Sequence, residues 1–469
     1  MSVVAMKRRN GRGAKGTQEG GFVMTKPTIT QPLAVPAGAK QDGEIHDRWP
    51  WVEAVVWTER MLTALETGIK GGQWFSLIDK VYALPNLYAA WTRVRANAGA
   101  AGVDQQTIEM FEQHLATNLE NLSDSLRDGS YRPTAVRRVM IPKLGSRELR
   151  PLGIPTVRDR VVQTALRNVL EPIFEHTFAA HSYGFRPQRS AKDALRRVDE
   201  LLNAGLIWVV DADLKSYFDT IPHEQLRACV EERIADGRVL ELLDAFLDQD
   251  VLGEMREPVA VEPETGTPQG AVISPLLANI YLNPLDHLMA ARGWEMVRYA
   301  DDFVILCRSE AAAKEALREV EQWTQGAGLT LHPTKTRIVN AAESGFDFLG
   351  YHFERGQKWP RQKSLQKFKE TIRVQTGRNN GESFARIIAR VNRTLRGWYE
   401  YFKHSHRWTF KPLDKWIRMR LRSILRRRAG KRGRGRGSDH QRWPNAYFDA
   451  LGLFNLEAAH ARECQSLPR

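Results

Sequence analysis

Cysteine is almost missing from this chain. Its 469 residues include three, Cys229, Cys307 and Cys464, and no two lie close enough in sequence to share a metal. That excludes a disulfide framework and a cysteine-based structural zinc, and it predicts a reducing cytoplasm. Long apolar runs are missing as well. No stretch approaches the roughly 20 residues of a membrane-spanning helix, so no membrane association is expected. The first 41 residues, rich in Lys, Gly, Thr and Pro, lack the apolar centre of a secretory signal and predict disorder. Met24 is a candidate alternative start, since the residues before it add only a basic tail. Acidic residues are scarce in one region. Between residues 355 and 443 there are 27 Lys/Arg and 5 Asp/Glu, a balance of +22 in a chain whose total is +14. Such a block is the electrostatic footprint of a phosphate backbone. An anionic membrane would also attract it, but no basic segment has a purely apolar opposite face.

What is present is apolar enough, at 42% hydrophobic, for a sizeable core. The run Val297-Arg298-Tyr299-Ala300-Asp301-Asp302-Phe303-Val304-Ile305-Leu306 places two adjacent carboxylates between two short apolar, β-branched and aromatic segments. These segments predict two strands of a hairpin, with the acids at its tip. An ordinary two-residue hairpin turn prefers glycine, which Asp-Asp does not supply. Neighbouring like charges raise each other's pKa unless a cation neutralises them, so the pair asks for a metal, with a solvated turn as the alternative. A second acid favours the metal. The apolar strand Leu206-Ile207-Trp208-Val209-Val210 ends in Asp211-Ala212-Asp213, so its carboxylates also stand at a strand end. If the two strand ends are neighbours in one sheet, Asp213 and Asp301 can share two Mg2+ ions about 4 Å apart, the clamp used in phosphoryl transfer. Mg2+ suits such a site because it takes hard oxygen ligands and lets substrate phosphates complete its octahedron.

At these residues the chain resembles the reverse transcriptases, most closely those encoded by bacterial group II introns, which also act as maturases. The resemblance runs from about Gly102 to the C-terminal region. Its parts, in order, are Ile141-Pro142-Lys143 with Arg150-Pro151-Leu152-Gly153-Ile154-Pro155; Ser182-Tyr183-Gly184-Phe185-Arg186-Pro187; Asp213 to Asp219; Thr267-Pro268-Gln269-Gly270 with Ser274-Pro275-Leu276-Leu277; Tyr299 to Asp302; Gly328-Leu329-Thr330-Leu331 with Lys335-Thr336; and Phe348-Leu349-Gly350. The Ser182 to Pro187 segment and Leu395-Arg396-Gly397-Trp398-Tyr399-Glu400-Tyr401-Phe402 are similar to group II intron proteins in particular. The pattern departs at Lys192, where the family commonly has His.

The resemblance implies an α+β right-hand polymerase: fingers, a palm with an antiparallel sheet and packed helices, then an all-helical thumb and maturase region. The expected organisation is a basic disordered tail over 1–45, a helical N-terminal extension over 46–100, fingers and palm over 101–355, thumb and maturase over 356–445, and a C-terminal tail over 446–469. Helices are predicted over Trp49–Leu65, Ala191–Leu202, Asp286–Arg292 and Glu310–Trp323. The stripes Ile387, Val391, Leu395, Trp398, Phe402 and Leu413, Trp416, Ile417, Leu421, Ile424, Leu425 predict bundle core. The family's zinc-stabilised endonuclease has no counterpart before Arg469, so second-strand cleavage is not expected of this chain. His440 and Asn445 are isolated, and His181 and His223 lack metal spacing; structural roles are expected for all four.

Site roles follow from the same resemblance. Asp213, Asp301 and Asp302 are the implied catalytic acids, with the Leu214 carbonyl completing the Mg2+ ligand set. Lys143 and Arg150 would contact the triphosphate of a dNTP; an arginine fork meets phosphate oxygens bidentately, although two exposed hairpin charges would look the same. Gln269 would lie beside the nucleotide, with close backbone approach at Gly270. Phe218 would pack under the sugar and exclude a 2′-OH, and a core phenylalanine is the competing reading. Lys335 matches a general acid for leaving pyrophosphate, and a solvated strand-end lysine fits equally. Arg418, Arg420, Arg422, Arg426, Arg427 and Arg428 are expected to face outward and bind RNA, with the tract through Gly437 flexible until RNA is present. Expected partners are group II intron RNA, a DNA target and primer, and dNTPs, in a bacterial cytoplasm and at the nucleoid when DNA is the target. The alternatives are an RNA-binding splicing cofactor with dispensable polymerase activity, and a domesticated reverse transcriptase in cellular defence.

Overall fold

The computed structural model describes residues 45–466 except Lys70, 143–148, 254–256, 260–263, Pro268, Asn380 and the side chains of His46 and Ser466. The tail expected over 1–45 therefore lies outside the described residues but for Ile45, which opens a short helix.

Among the described residues, strands form three sheets. The hairpin β1 (Val136–Pro142) and β2 (Leu149–Ile154) pairs antiparallel, and β4 (Val251–Leu252) joins β1 in parallel. The central sheet has the order β5-β6-β3-β7, built from β3 (Trp208–Asp213), β5 (Glu295–Tyr299), β6 (Asp302–Cys307) and β7 (Arg337–Asn340), with antiparallel neighbours throughout. A third sheet, β8 (Phe346–Phe348), β9 (Tyr351–Glu354) and β10 (Gln357–Pro360), follows it in the chain.

The two-residue period of the central strands decides which side chains meet which helices. Val210, Ala212, Phe303, Ile305 and Cys307 share a core with the helices Ser274–Ala291 and Glu310–Gly326. Val209, Val297, Val304 and Leu306 face the opposite way, toward the helix Ala191–Asn203 and the aromatic residues Phe346, Phe348, Tyr351 and Phe353. Ser190 and Asp193 close a capping box at the start of Ala191–Asn203, which fixes where that helix begins.

The helix predicted over Trp49–Leu65 is shorter than expected. Turns occupy residues 50–56 and the helix runs Glu59–Thr67, capped by Thr58. The segment is still firmly anchored. Trp57 is fully buried and donates from Nε1 to the Asn168 carbonyl at 3.0 Å, and Asn86 donates to the Ala165 carbonyl at 3.0 Å. Both acceptors lie on the buried helix Val157–Glu175, so the N-terminal helices and the helix behind β2 share one core.

Beyond β10 the chain is helical. Gln362–Gln375, Phe384–Phe402 and Phe410–Arg428 enclose a separate core of Phe368, Ile387, Val391, Leu395, Ile417 and Leu421. The expected C-terminal tail is folded here. Helices Asn445–Ala450 and Leu456–Ser466 contribute Phe448, Leu456 and Ala459 to that core. Asp414 caps the second of these by accepting from the backbone nitrogens of Leu456 and Glu457 at 3.1 and 2.9 Å. The whole is the right-hand α+β fold with a helical C-terminal region. No helix among the described residues is long and apolar enough to cross a membrane.

Candidate active site

The acids meet where β3 and β6 end side by side. The antiparallel register sets Asp213 directly opposite Asp302, with Asp301 one residue earlier in the tight turn that follows Tyr299. Ala300, the first residue of that turn, has φ +61°, a left-handed conformation in which glycine is the usual residue. Asp211, Asp213 and Asp302 occupy alternate positions on one face of the sheet, so their charges act on one another. Burial, reinforced by the charges of Asp211, Asp301 and Asp213, pushes Asp302 up to about 7. Burial and the charge of Asp213 raise Asp301 above the usual carboxylate range, against a backbone hydrogen bond and the pull of Lys335 and Arg298.

Two cations reach this face from one segment. Lys335 donates from Nζ to Oδ2 of Asp213 at 2.5 Å, and Arg337 from Nε to Oδ2 of Asp211 at 3.1 Å. The same segment is laced to the end of β3 by backbone bonds, from His332 N to Asp213 O at 2.7 Å and from Lys215 N to Thr330 O at 2.9 Å. Neither bond uses the carbonyl of the buried Leu214.

Among the described residues, no three His, Cys, Asp or Glu side chains form a ready-made metal cage. Mg2+ does not require one, because it commonly binds through one or two carboxylates, waters and substrate phosphates. The donor set fits that ion. Crowded carboxylates with raised proton affinity gain from any cation placed among them, and Asp213 already holds an ammonium.

Comparison with known proteins agrees with this geometry. Residues 141–353 match the family model of reverse transcriptase (RNA-dependent DNA polymerase), and residues 365–443 match the group II intron maturase-specific domain. Protein YkfC of Escherichia coli K12 is 37% identical over 297 residues, which cover 55% of this chain and 77% of YkfC. This chain is a group II intron-type reverse transcriptase. The group II intron-encoded protein LtrA of Lactococcus lactis subsp. cremoris is 39% identical over 215 residues, 45% of this reverse transcriptase but only 35% of LtrA's length. Among solved structures, a Candida albicans telomerase superposes with TM-score 0.40 at 12% identity, over 77% of this chain and 69% of that one, too loosely to argue from.

Lys143 and Pro268 lie outside the described residues. Arg150 is exposed on β2, opposite Ile141. The Gln269 carbonyl accepts from Gly153 N at 2.6 Å, and a Cβ on Gly270, whose φ is +114°, would come within 2.3 Å of the Gly153 carbonyl oxygen. Close approach at Gly270 is therefore to the β2 strand, which ties the fingers hairpin to the loop before Ser274–Ala291. Phe218 is half-buried against Tyr217, with ring centroids 5.6 Å apart, so it belongs neither fully to the core nor to solvent.

The arginines of Phe410–Arg428 correct the expectation of an outward basic face. Arg418 and Arg422 are buried. Arg422 donates to the Trp443 carbonyl and to Asn445 Oδ1, both at 2.8 Å, so Asn445 is structural as expected. Arg420 donates to Thr376 Oγ1 at 2.6 Å, and Arg426 to Asp439 Oδ2 at 2.7 Å. Arg428, though exposed, donates to the Glu382 carbonyl, and Arg427 is exposed. The tract expected to be flexible is packed at Gly435, whose nitrogen donates to Ser423 Oγ at 3.0 Å. The reason for the correction is the folded C-terminal segment. It turns Asp414 to the backbone nitrogens of Leu456 and Glu457, and Arg422 to Trp443 and Asn445, instead of to solvent.

Sequence reasoning also missed the buried residues behind the acids: Arg298, Asp286 and Asn279. A signal for two of them existed. Asn279 and Arg298 are polar residues with apolar residues on both sides, where a buried polar group must find a partner.

Proposed function

We propose that this RNA-directed DNA polymerase copies group II intron RNA and also binds that RNA as a maturase, assisting its splicing and its insertion at a DNA target. The observation that carries the polymerase half is the register placing Asp213 opposite Asp302 at the ends of β3 and β6, with Asp301 in the adjoining turn. Asp213, Asp301 and the Leu214 carbonyl would hold two Mg2+ ions, with Asp302 supporting them. When bound, Mg2+ supplies charge neutralisation at the attacking and leaving oxygens.

The chain's own groups do the rest. Lys143 and Arg150 hold the triphosphate of a dNTP, while Gln269 and Phe218 bound its base and sugar. The primer 3′-OH attacks the α-phosphate and gives up its proton to water, the bond to pyrophosphate breaks, and Lys335, released from Asp213, gives the leaving pyrophosphate a proton. Catalysis of this kind is positioning and electrostatic stabilisation. The maturase half rests on the match over 365–443 and on the basic balance of the same region.

The test is primer extension by purified protein on an RNA template with Mg2+ and dNTPs, beside an Asp301→Ala, Asp302→Ala variant, with splicing of the flanking intron followed in parallel. Extension lost and splicing retained by the variant is the expected result. No extension by folded wild-type protein across templates and salt concentrations would remove the polymerase claim and leave an RNA-binding splicing cofactor.

A further inference from the structure

Arg298 has no exposed surface, although it lies in the middle of β5 between Val297 and Tyr299. Its guanidinium meets Asp286 through Nε, at 2.7 Å, and through Nη2. From Nη1 it donates to Asn279 Oδ1 at 3.0 Å and to the Ala300 carbonyl oxygen at 2.9 Å. Asn279 donates in turn to the Gly184 carbonyl at 2.8 Å. Gly184 closes on the turn directly: a Cβ there would lie within 2.3 Å of the Ala300 nitrogen. Backbone bonds from Tyr183 N to Arg298 O, 2.9 Å, and from Arg298 N to His181 O, 3.0 Å, hold the two segments in register.

Two of these contacts bear on one residue, Ala300: Gly184 packs against its nitrogen and Arg298 donates to its carbonyl. A non-glycine residue in the left-handed region costs about 1–2 kcal/mol and persists only where its surroundings over-determine it. Stability alone gives no reason to spend a buried arginine here. A buried ion pair is often no better than an apolar pair of the same volume. What an apolar pair could not do is donate to the Ala300 carbonyl.

We infer that Arg298 is a positioning residue for catalysis. With Asp286 and Asn279 orienting it, it locks Ala300 in its left-handed conformation and thereby sets Asp301, in the turn, beside Asp302 and the end of β3. This assignment rests on the polymerase reading above. It concerns the peptide between the strand and the acids, not the acids themselves.

The test replaces the pair as a unit, Arg298→Met with Asp286→Leu, so that no charge is left buried alone. Melting temperature and intron-RNA affinity report the fold, and steady-state primer extension reports kcat and the dNTP KM. The paired variant should stay folded, melting lower only by the cost of leaving the Ala300 carbonyl and Asn279 without a donor, and bind RNA unchanged, with kcat lower by on the order of tenfold to a hundredfold and KM moved less than about twofold. Adding Ala300→Gly should then recover part of the lost kcat, because glycine takes the left-handed conformation without help. Full kcat in the paired variant, or an Ala300→Gly effect that merely multiplies with the first loss, would overturn the assignment. If the paired variant does not fold, Arg298→Lys, which keeps a charge for Asp286 but has no second arm for Ala300, is judged by the same criteria. Wild-type protein is assayed alongside; its failure to extend would sink the polymerase reading, whereas the outcomes above bear on Arg298 alone.

Discussion

The Lys335 ammonium lies 2.5 Å from Oδ2 of Asp213, across 122 residues of sequence. It stands on an oxygen that a metal ion would also use, so lysine and divalent cation compete for it. In nucleic-acid-free protein, Lys335→Ala should bind Mg2+ more tightly by calorimetric titration. Its extension rate should fall by about 10²-fold or more if the lysine also protonates pyrophosphate. Tighter Mg2+ binding with an unchanged rate would make Lys335 a strand-end lysine and no acid.

The raised carboxyls predict a particular pH dependence. A carboxyl that keeps its proton longer when folded than when unfolded loses stability for the fold as pH climbs from the ordinary value near 4 to its folded value, about 7 for Asp302. Metal-free protein should therefore melt progressively lower across that window. Mg2+ favours the ionised carboxylates, so the rise in melting temperature it produces should be small at pH 5 and larger at pH 8. Asp302→Asn should flatten the metal-free curve; a slope unchanged in that variant would assign the effect elsewhere.

Phe218 tests sugar discrimination. Phe218→Ala opens the space that a 2′-OH would enter, and the ratio of rNTP to dNTP incorporation should rise about tenfold or more, within the roughly hundredfold that steric rejection of one hydroxyl can supply. Competition assays on a single RNA template measure it. An unchanged ratio, together with a lowered melting temperature, would leave Phe218 as a core residue.

Arg422 and Arg427 should separate stability from binding. Truncating buried Arg422 leaves the Trp443 carbonyl and Asn445 unpaired and should cost about 1–3 kcal/mol, read from denaturant unfolding. Arg427→Ala should leave unfolding unchanged and weaken RNA binding, with the salt slope smaller by about one phosphate contact. Equal losses of stability in the two variants would contradict the difference in burial.

The hairpin from Val297 to Leu306 is legible because both its strands are short apolar runs and its tip is charged. The β3 end is legible for the same reason. At Gly270 the expected close approach is to a nucleotide; the one the fold shows is to Gly153, on another element that no spacing identifies. The thumb arginines are misread for a physical reason. Helical periodicity says which residues share a face but not what covers it, and the row Asp414, Arg418, Arg422 looks solvated only while residues 435–466 are taken for a flexible tract and a tail. Arg298 shows the complementary limit: its isolation among apolar neighbours marks it as buried, but the carbonyl it serves is fixed by a turn geometry that appears only once the chain is folded.

The strand order β5-β6-β3-β7 also bears on how the molecule is made. One of its two interior strands, β3, is translated well before either neighbour: Asp213 precedes Asp302 by about 90 residues and its contact Lys335 by 122. On the ribosome, Trp208 to Val210 must wait for both partners, with a wide loop to close before any pairing rewards it. This interval is the part of synthesis most exposed to misassociation of nascent chains, and a holdase that covers apolar β-branched segments would act there.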